Sequence, residues 1–121
     1  MKYYFLFFIT VKSFSIPDAS EGVFYDRSLD IYFDEKVGLA SVTKETVRVT
    51  DSKGKEIPGK PGLSPVPGRV LAPSRTKLTF LPRHGWPVNE TITVEVTGLK
   101  DDMDNVMDRV YRTSFKTYAP R

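Results

Sequence analysis

The sequence predicts an all-β sandwich of seven or eight short antiparallel strands. Three features predict it. Apolar and polar residues alternate in several separate runs, as strands with one dry and one wet face require. Nine prolines and eight glycines are spread along the 121 residues as punctuation between those runs. No stretch sustains the apolar spacing of a long amphipathic helix, and many short strands with frequent turn signals suit a sandwich.

The strongest alternation lies in Thr76 to Lys100. Leu78 and Phe80 share one face of a first run. Ile92, Val94 and Val96 share one face of a second, with Thr91, Thr93 and Glu95 opposite. Between them Arg83-His84-Gly85-Trp86-Pro87 forms a short corner holding the single tryptophan. These residues predict two neighbouring strands joined over a packed corner, with Trp86, Pro87, Phe80 and Phe115 as its structural elements. A buried indole contributes a large apolar surface.

From the N-terminus, Lys2 precedes an apolar run from Tyr3 to Val11 broken only by Thr10. Residues 1–10 fit two descriptions: an apolar leader, or the start of a first strand rich in Phe, Tyr, Ile and Val. The domain proper is read as 11–121. Val11 to Ile16 is extended, and Pro17 to Gly22 is a turn-rich loop. Arg27 to Asp34 is a strand with Leu29, Ile31 and Phe33 inward. Ser41 to Lys44 suits one helical turn, since Ser and Thr favour cap positions. Thr46 to Thr50 is a strand with Val47 and Val49 inward and Arg48 outward. A tight turn at Asp51 to Gly54 follows, and Lys55 to Ile57 returns as a brief hairpin partner.

Gly59 to Pro73 carries Pro61, Pro65, Pro67 and Pro73. Proline cannot donate to a ladder, so this segment reads as a long loop or an edge strand around Arg69 to Leu71. After the central pair, Lys100 to Arg109 is an acidic loop. Tyr111 to Tyr118 is the last strand, with Tyr111, Thr113, Phe115 and Thr117 on one face.

The composition excludes several functional classes. With 40% hydrophobic and 27% charged residues the chain forms one globular domain. Eighteen bases against fifteen acids give a net charge of only +3. The bases are interleaved with acids and lack paired stacking aromatics, so no nucleic-acid partner is expected. The absence of cysteine removes disulfides and thiolate zinc sites.

Candidate chemistry is sparse. Asp101, Asp102, Asp104, Asn105 and Asp108 cluster within eight residues and offer hard oxygen donors of the kind calcium prefers. They lack the glycine and distal glutamate of the helix–loop–helix calcium pattern, and Asp and Asn build turns through their own side chains. His84, the sole histidine, could be grouped with Ser74 and Asp101, but no nucleophile-elbow turn surrounds any serine. Asp30 and Asp34 with Glu35 resemble a carboxylate pair, yet alternation puts Asp30 and Asp34 on the solvent face. Asn89-Glu90-Thr91 fits the glycosylation acceptor pattern. Trp86 with Tyr25, Tyr32 and Tyr118 could form a sugar-stacking platform. No enzyme activity, cofactor or resident metal is expected from this inventory.

Several segments, taken in order, resemble the bacterial Ig-like domain of the S-layer-protein type. The segments are Phe33-Asp34-Glu35-Lys36-Val37, Ser41-Val42-Thr43, Val47 to Gly54, then Leu78, Phe80 and Pro82. The Ile92-Val94-Val96 strand, the Gly98, Asp101 and Asn105 turn, and Ser114-Phe115-Lys116-Thr117 complete the series. In the turn Asp104 stands where that family carries glycine, which raises the backbone cost of a left-handed residue. The Gly85-Trp86-Pro87 corner is also similar to the first macroglobulin-like domain of bacterial α2-macroglobulins, although the chain lacks their thioester motif.

The resemblance implies an Ig-like β-sandwich and a non-enzymatic structural or adhesive module. It implies an extracellular or cell-envelope location, without a membrane span in the mature domain. It further implies a protein or cell-surface component as partner, with neighbouring domains of a larger assembly. Two alternative roles are a macroglobulin-like module of a protease-inhibitor protein and a carbohydrate-binding accessory domain.

Overall fold

The computed structural model describes residues 8–66, 76–101 and 103–120. The described residues hold eight strands: β1 (Val11–Phe14), β2 (Ser20–Val23), β3 (Leu29–Phe33), β4 (Val47–Thr50), β5 (Gly59–Pro65), β6 (Thr76–Pro82), β7 (Thr91–Val96) and β8 (Tyr111–Thr117). They form two four-stranded sheets ordered β1-β3-β6-β5 and β2-β8-β7-β4. The inward residues of β3, β6, β7 and β8 are those the alternation assigned. Leu29, Ile31, Phe33, Leu78, Phe80, Ile92, Val94, Val96 and Phe115 meet in one core.

All named strand pairs but one are antiparallel. The exception corrects the all-antiparallel expectation: β2 runs parallel to β8, with Ser20 opposite Phe115 and Val23 opposite Thr117. The chain leaves the first sheet after β1, buries Ile16, and enters the second sheet as β2. This change of sheet closes one side of the sandwich. Pro17 to Gly22 is therefore not all loop. Ala19 (φ 65°) and Gly22 (φ 69°) take left-handed conformations around the crossing, and the Ala19 amide donates to the Ser114 carbonyl at 2.7 Å.

Further adjustments have local causes. The helical turn is a 3-10 turn at Leu39–Ser41 rather than Ser41 to Lys44. The Ser41 hydroxyl donates back to the Gly38 carbonyl and so closes that turn. Thr43 and Thr46 are occupied with each other instead, the Thr46 hydroxyl accepting from the Thr43 amide at 2.8 Å. The hairpin return at Lys55 to Ile57 shrinks to one bridge, Thr50 with Glu56.

The proline-bearing edge strand exists, but at Gly59–Pro65. The positions Arg69 to Leu71 lie outside the described residues, as do residues 1–7 of the leader reading. The Pro58 carbonyl accepts from the Arg83 amide, which turns the even-numbered residues of β5 toward β6. The odd-numbered ones, including Pro61 and Pro65, turn their main chain to the free edge, where a missing N–H costs no ladder bond.

Strands β6 and β7 are both interior, but in different sheets. The corner between them therefore crosses the sandwich. Ile9 is buried at the opposite end, bridging Met107. No helix among the described residues is long and apolar enough to cross a membrane.

Candidate functional site

The β6–β7 corner spends its aromatic residue on the core. Trp86 is 3% exposed. Its ring stacks on Phe80 at 5.8 Å between centroids and meets Phe115 edge-on at 5.2 Å. Thus one residue from the corner touches one strand of each sheet. The indole N–H donates to the Arg27 carbonyl at 2.7 Å, and the Trp86 amide donates to the Tyr25 carbonyl at 2.9 Å. Gly85 makes the approach possible. It has φ 76°, and a Cβ there would come within 2.9 Å of the Tyr25 ring and carbonyl. Pro87 is exposed at the rim.

This arrangement divides the four-residue sugar platform. Trp86 is inside. Tyr32 lies on the outer face of the first sheet, opposite Ser13 and Lys77. Tyr25 and Tyr118 remain at the Trp86 end and are exposed, with Phe24 5.2 Å from Tyr118.

The acidic loop is organised by its own first carboxylate. Asp101 Oδ1 accepts from the Met103 and Asn105 amides at 2.8 and 2.9 Å, and Oδ2 accepts from the Asn105 side chain at 2.8 Å. The Asn105 side-chain hydrogen bond, with those two amides, holds the Asp101 carboxyl below its ordinary pKa. Asp104 takes φ 60°, so the turn closes with aspartate in the left-handed position. Asp108 is turned away, accepting from the Tyr111 hydroxyl at 2.8 Å. Asp102 lies outside the described residues. Among the described residues no cluster of three or more metal-ligating side chains forms.

The remaining candidates are separated. His84 precedes β7 and Asp101 follows it. A six-residue strand puts them about 20 Å apart along its axis. Ser74 lies outside the described residues. Asp30 and Asp34 stand on the order of 13 Å apart along β3, beyond the spacing of about 5–9.5 Å that glycoside hydrolysis uses. Each is also engaged. Asp30 accepts from the Thr79 hydroxyl at 2.6 Å, and Asp34 from the Thr10 amide at 3.0 Å. The Glu35 carbonyl accepts from the Thr76 hydroxyl. Asn89 is exposed at φ 49°, its amide bonded to the Tyr118 carbonyl. Beside it, Glu90 accepts from the Ser52 amide at 3.0 Å. Its carboxyl is held below the ordinary value by the Ser52 side chain first and the Ser52 amide second.

Two features escaped sequence reasoning. The first is a groove of about 450 Å³ on the open side of the sandwich, between the edges of β4 and β5. Its floor includes Val47, Val49, Ile57, Pro61 and Phe80, and its rim carries Lys44, Glu56 and Arg83. The second is exposed apolar surface at both ends. Phe24, Tyr25, Val88 and Tyr118 cluster at the Trp86 end, and Phe8, Leu39, Met103, Val106 and Val110 at the other. Alternation reports which face of a strand is dry. It carries no signal for a gap between two edges or for loops that meet in space.

A search of curated proteins finds no match. The family model described as bacterial Ig-like domain matches residues 8–117, nearly the whole chain and all eight strands. With that match and this two-sheet architecture, the chain belongs to the bacterial Ig-like domain family.

Proposed function

We propose that the domain is a non-enzymatic structural or adhesive module of an exported or cell-envelope bacterial protein. The observation that carries this reading is the exposed apolar surface at both ends of the sandwich. Ile9 sits at the Met107 end, and Tyr118 leaves β8 at the Trp86 end. These two points lie at opposite ends of the sandwich, about 20 Å apart along β8. Exposed apolar side chains surround both points, a common mark of protein contact. A module of this form transmits position along a series of domains, while its loops and edges remain available for partners.

Labelling of intact bacteria with an impermeant amine-reactive biotin tests the location. The reading expects the protein to be labelled on intact cells or recovered from the medium. Labelling only after lysis, with the protein confined to the cytosolic fraction, would contradict it.

A carbohydrate-binding role is a second reading, favoured by Phe24, Tyr25 and Tyr118 standing exposed together. It predicts glycan-array binding that Tyr25→Ala and Tyr118→Ala abolish. Absence of binding by the wild type removes it.

A further inference from the structure

We propose that the groove between β4 and β5 docks an extended acidic peptide. Such a peptide inserts one large apolar side chain between the two sheets and places a carboxylate toward each end of the groove. The inference deepens the adhesive reading above and rests on it. The two fail separately, since surface labelling is independent of peptide binding.

Among the described residues the sandwich is closed on one side only. There the chain passes from β1 to β2 over the fully buried Ile16. On the other side β4 and β5 are the last strands of their sheets and do not pair with each other. The space between them, about 450 Å³, lies within the range of roughly 300–1,000 Å³ usual for ligand pockets. Its floor is aliphatic and aromatic, so it suits a side chain that water solvates poorly.

The backbone edges disfavour simple strand addition. On β4 the Val47 amide is bonded to the Thr43 carbonyl, the Val49 carbonyl to the Ile57 amide, and the Asp51 amide to the Lys55 carbonyl. On β5, Pro61 and Pro65 leave gaps among the outward donors. Side-chain insertion is the mode of recognition left open.

Charge selects the partner. The charged side chains that line the groove are Lys44 and Arg83 against Glu56, two bases to one acid. The Asp51 carboxylate is turned in on the Lys53 and Lys55 amides. Lys44 and Arg83 make no ion pair among the described residues. Strand β4 begins just after Lys44, and Arg83 follows β6 at the far end. The two cations therefore flank the apolar floor, about four residues of extended chain apart. Glu56 on the same rim disfavours a uniformly acidic ligand and leaves the carboxylates best placed toward the two ends.

The test is an array of immobilised nonapeptides, each with a central Phe, Trp, Leu or Ala. Aspartate, lysine or serine stands two positions away on both sides. Wild-type domain is expected to bind aspartate-flanked Phe, Trp or Leu peptides at least about tenfold better than lysine-flanked or Ala-centred ones. Lys44→Glu/Arg83→Glu, which changes only exposed positions, is expected to remove the aspartate preference while keeping the thermal unfolding midpoint. Ile57→Trp, filling the groove, is expected to weaken all binding. Three results would overturn the proposal: no binding at all, binding indifferent to the flanking charge, or a preference unchanged in the charge-reversed variant. So would sedimentation showing a dimer that the same variant dissociates, since the occupant would then be a second copy of the chain.

Discussion

The Trp86 indole N–H donates to the Arg27 carbonyl across the β2–β3 and β6–β7 connections, at 2.7 Å. That bond ties the two loops of one end together while the ring lies between Phe80 and Phe115. Removing the ring should open a cavity and unpair the carbonyl. Trp86→Ala is expected to cost about 3–5 kcal/mol in urea unfolding. Trp86→Phe keeps part of the packing but loses the donor, and should cost less than the alanine variant. Its remaining cost should include about 0.5–1.5 kcal/mol for the lost hydrogen bond to the part-buried Arg27 carbonyl.

Gly59 and Gly62 separate close approach from simple composition. A Cβ at Gly59 would run into the Phe80 ring and come 2.7 Å from the Leu81 carbonyl, whereas Gly62 has nothing within 4 Å. Gly59→Ala should destabilise by about 1–3 kcal/mol through overpacking. Gly62→Ala should stay within about 0.5 kcal/mol. Thermal melts of the two variants side by side check the contrast.

Acid should loosen the β7–β8 turn and the Glu90–Ser52 link. Both carboxyls have folded-state pKa values below their ordinary ones. Their contribution is therefore present above the unfolded carboxylate pKa and is lost as pH falls through the folded value. Asp101→Asn and Glu90→Gln should each lower the urea midpoint at neutral pH and flatten its decline through the acid range. Calcium is expected to leave the Asp101 turn unchanged. A calcium-dependent rise in melting temperature would show that the ion competes for that carboxylate.

Restoring donors to the free edge of β5 should expose the domain to pairing. Pro61→Thr/Pro65→Thr adds two outward N–H groups to a seven-residue edge strand. The variant is expected to self-associate more than the wild type at equal concentration, as light scattering would show.

The legible parts of the fold were those where one face is dry. Strands β3, β4, β6, β7 and β8 could be read because their inward residues recur at every second position. Strand β2 could not. Of Ser20, Glu21, Gly22 and Val23 only Val23 is buried, so the segment has no period, and its pairing comes from main-chain bonds to β8. Strand β5 was masked by its prolines, which forbid a central strand but not an edge. The crossing of the Trp86 corner from one sheet to the other was also hidden, because alternation does not say which sheet a strand joins. The groove depends on that same missing information, since it lies between edges that belong to different sheets.

The single tryptophan makes the central claim directly measurable. If the aromatic of the corner is spent on holding the two sheets together, its intrinsic fluorescence should be blue-shifted and weakly quenched by acrylamide. The Nε1–H should then exchange with solvent only on global unfolding, as read by hydrogen exchange in NMR. A solvent-like emission, ready quenching and rapid Nε1–H exchange in the folded protein would contradict the claim and return Trp86 to the binding surface.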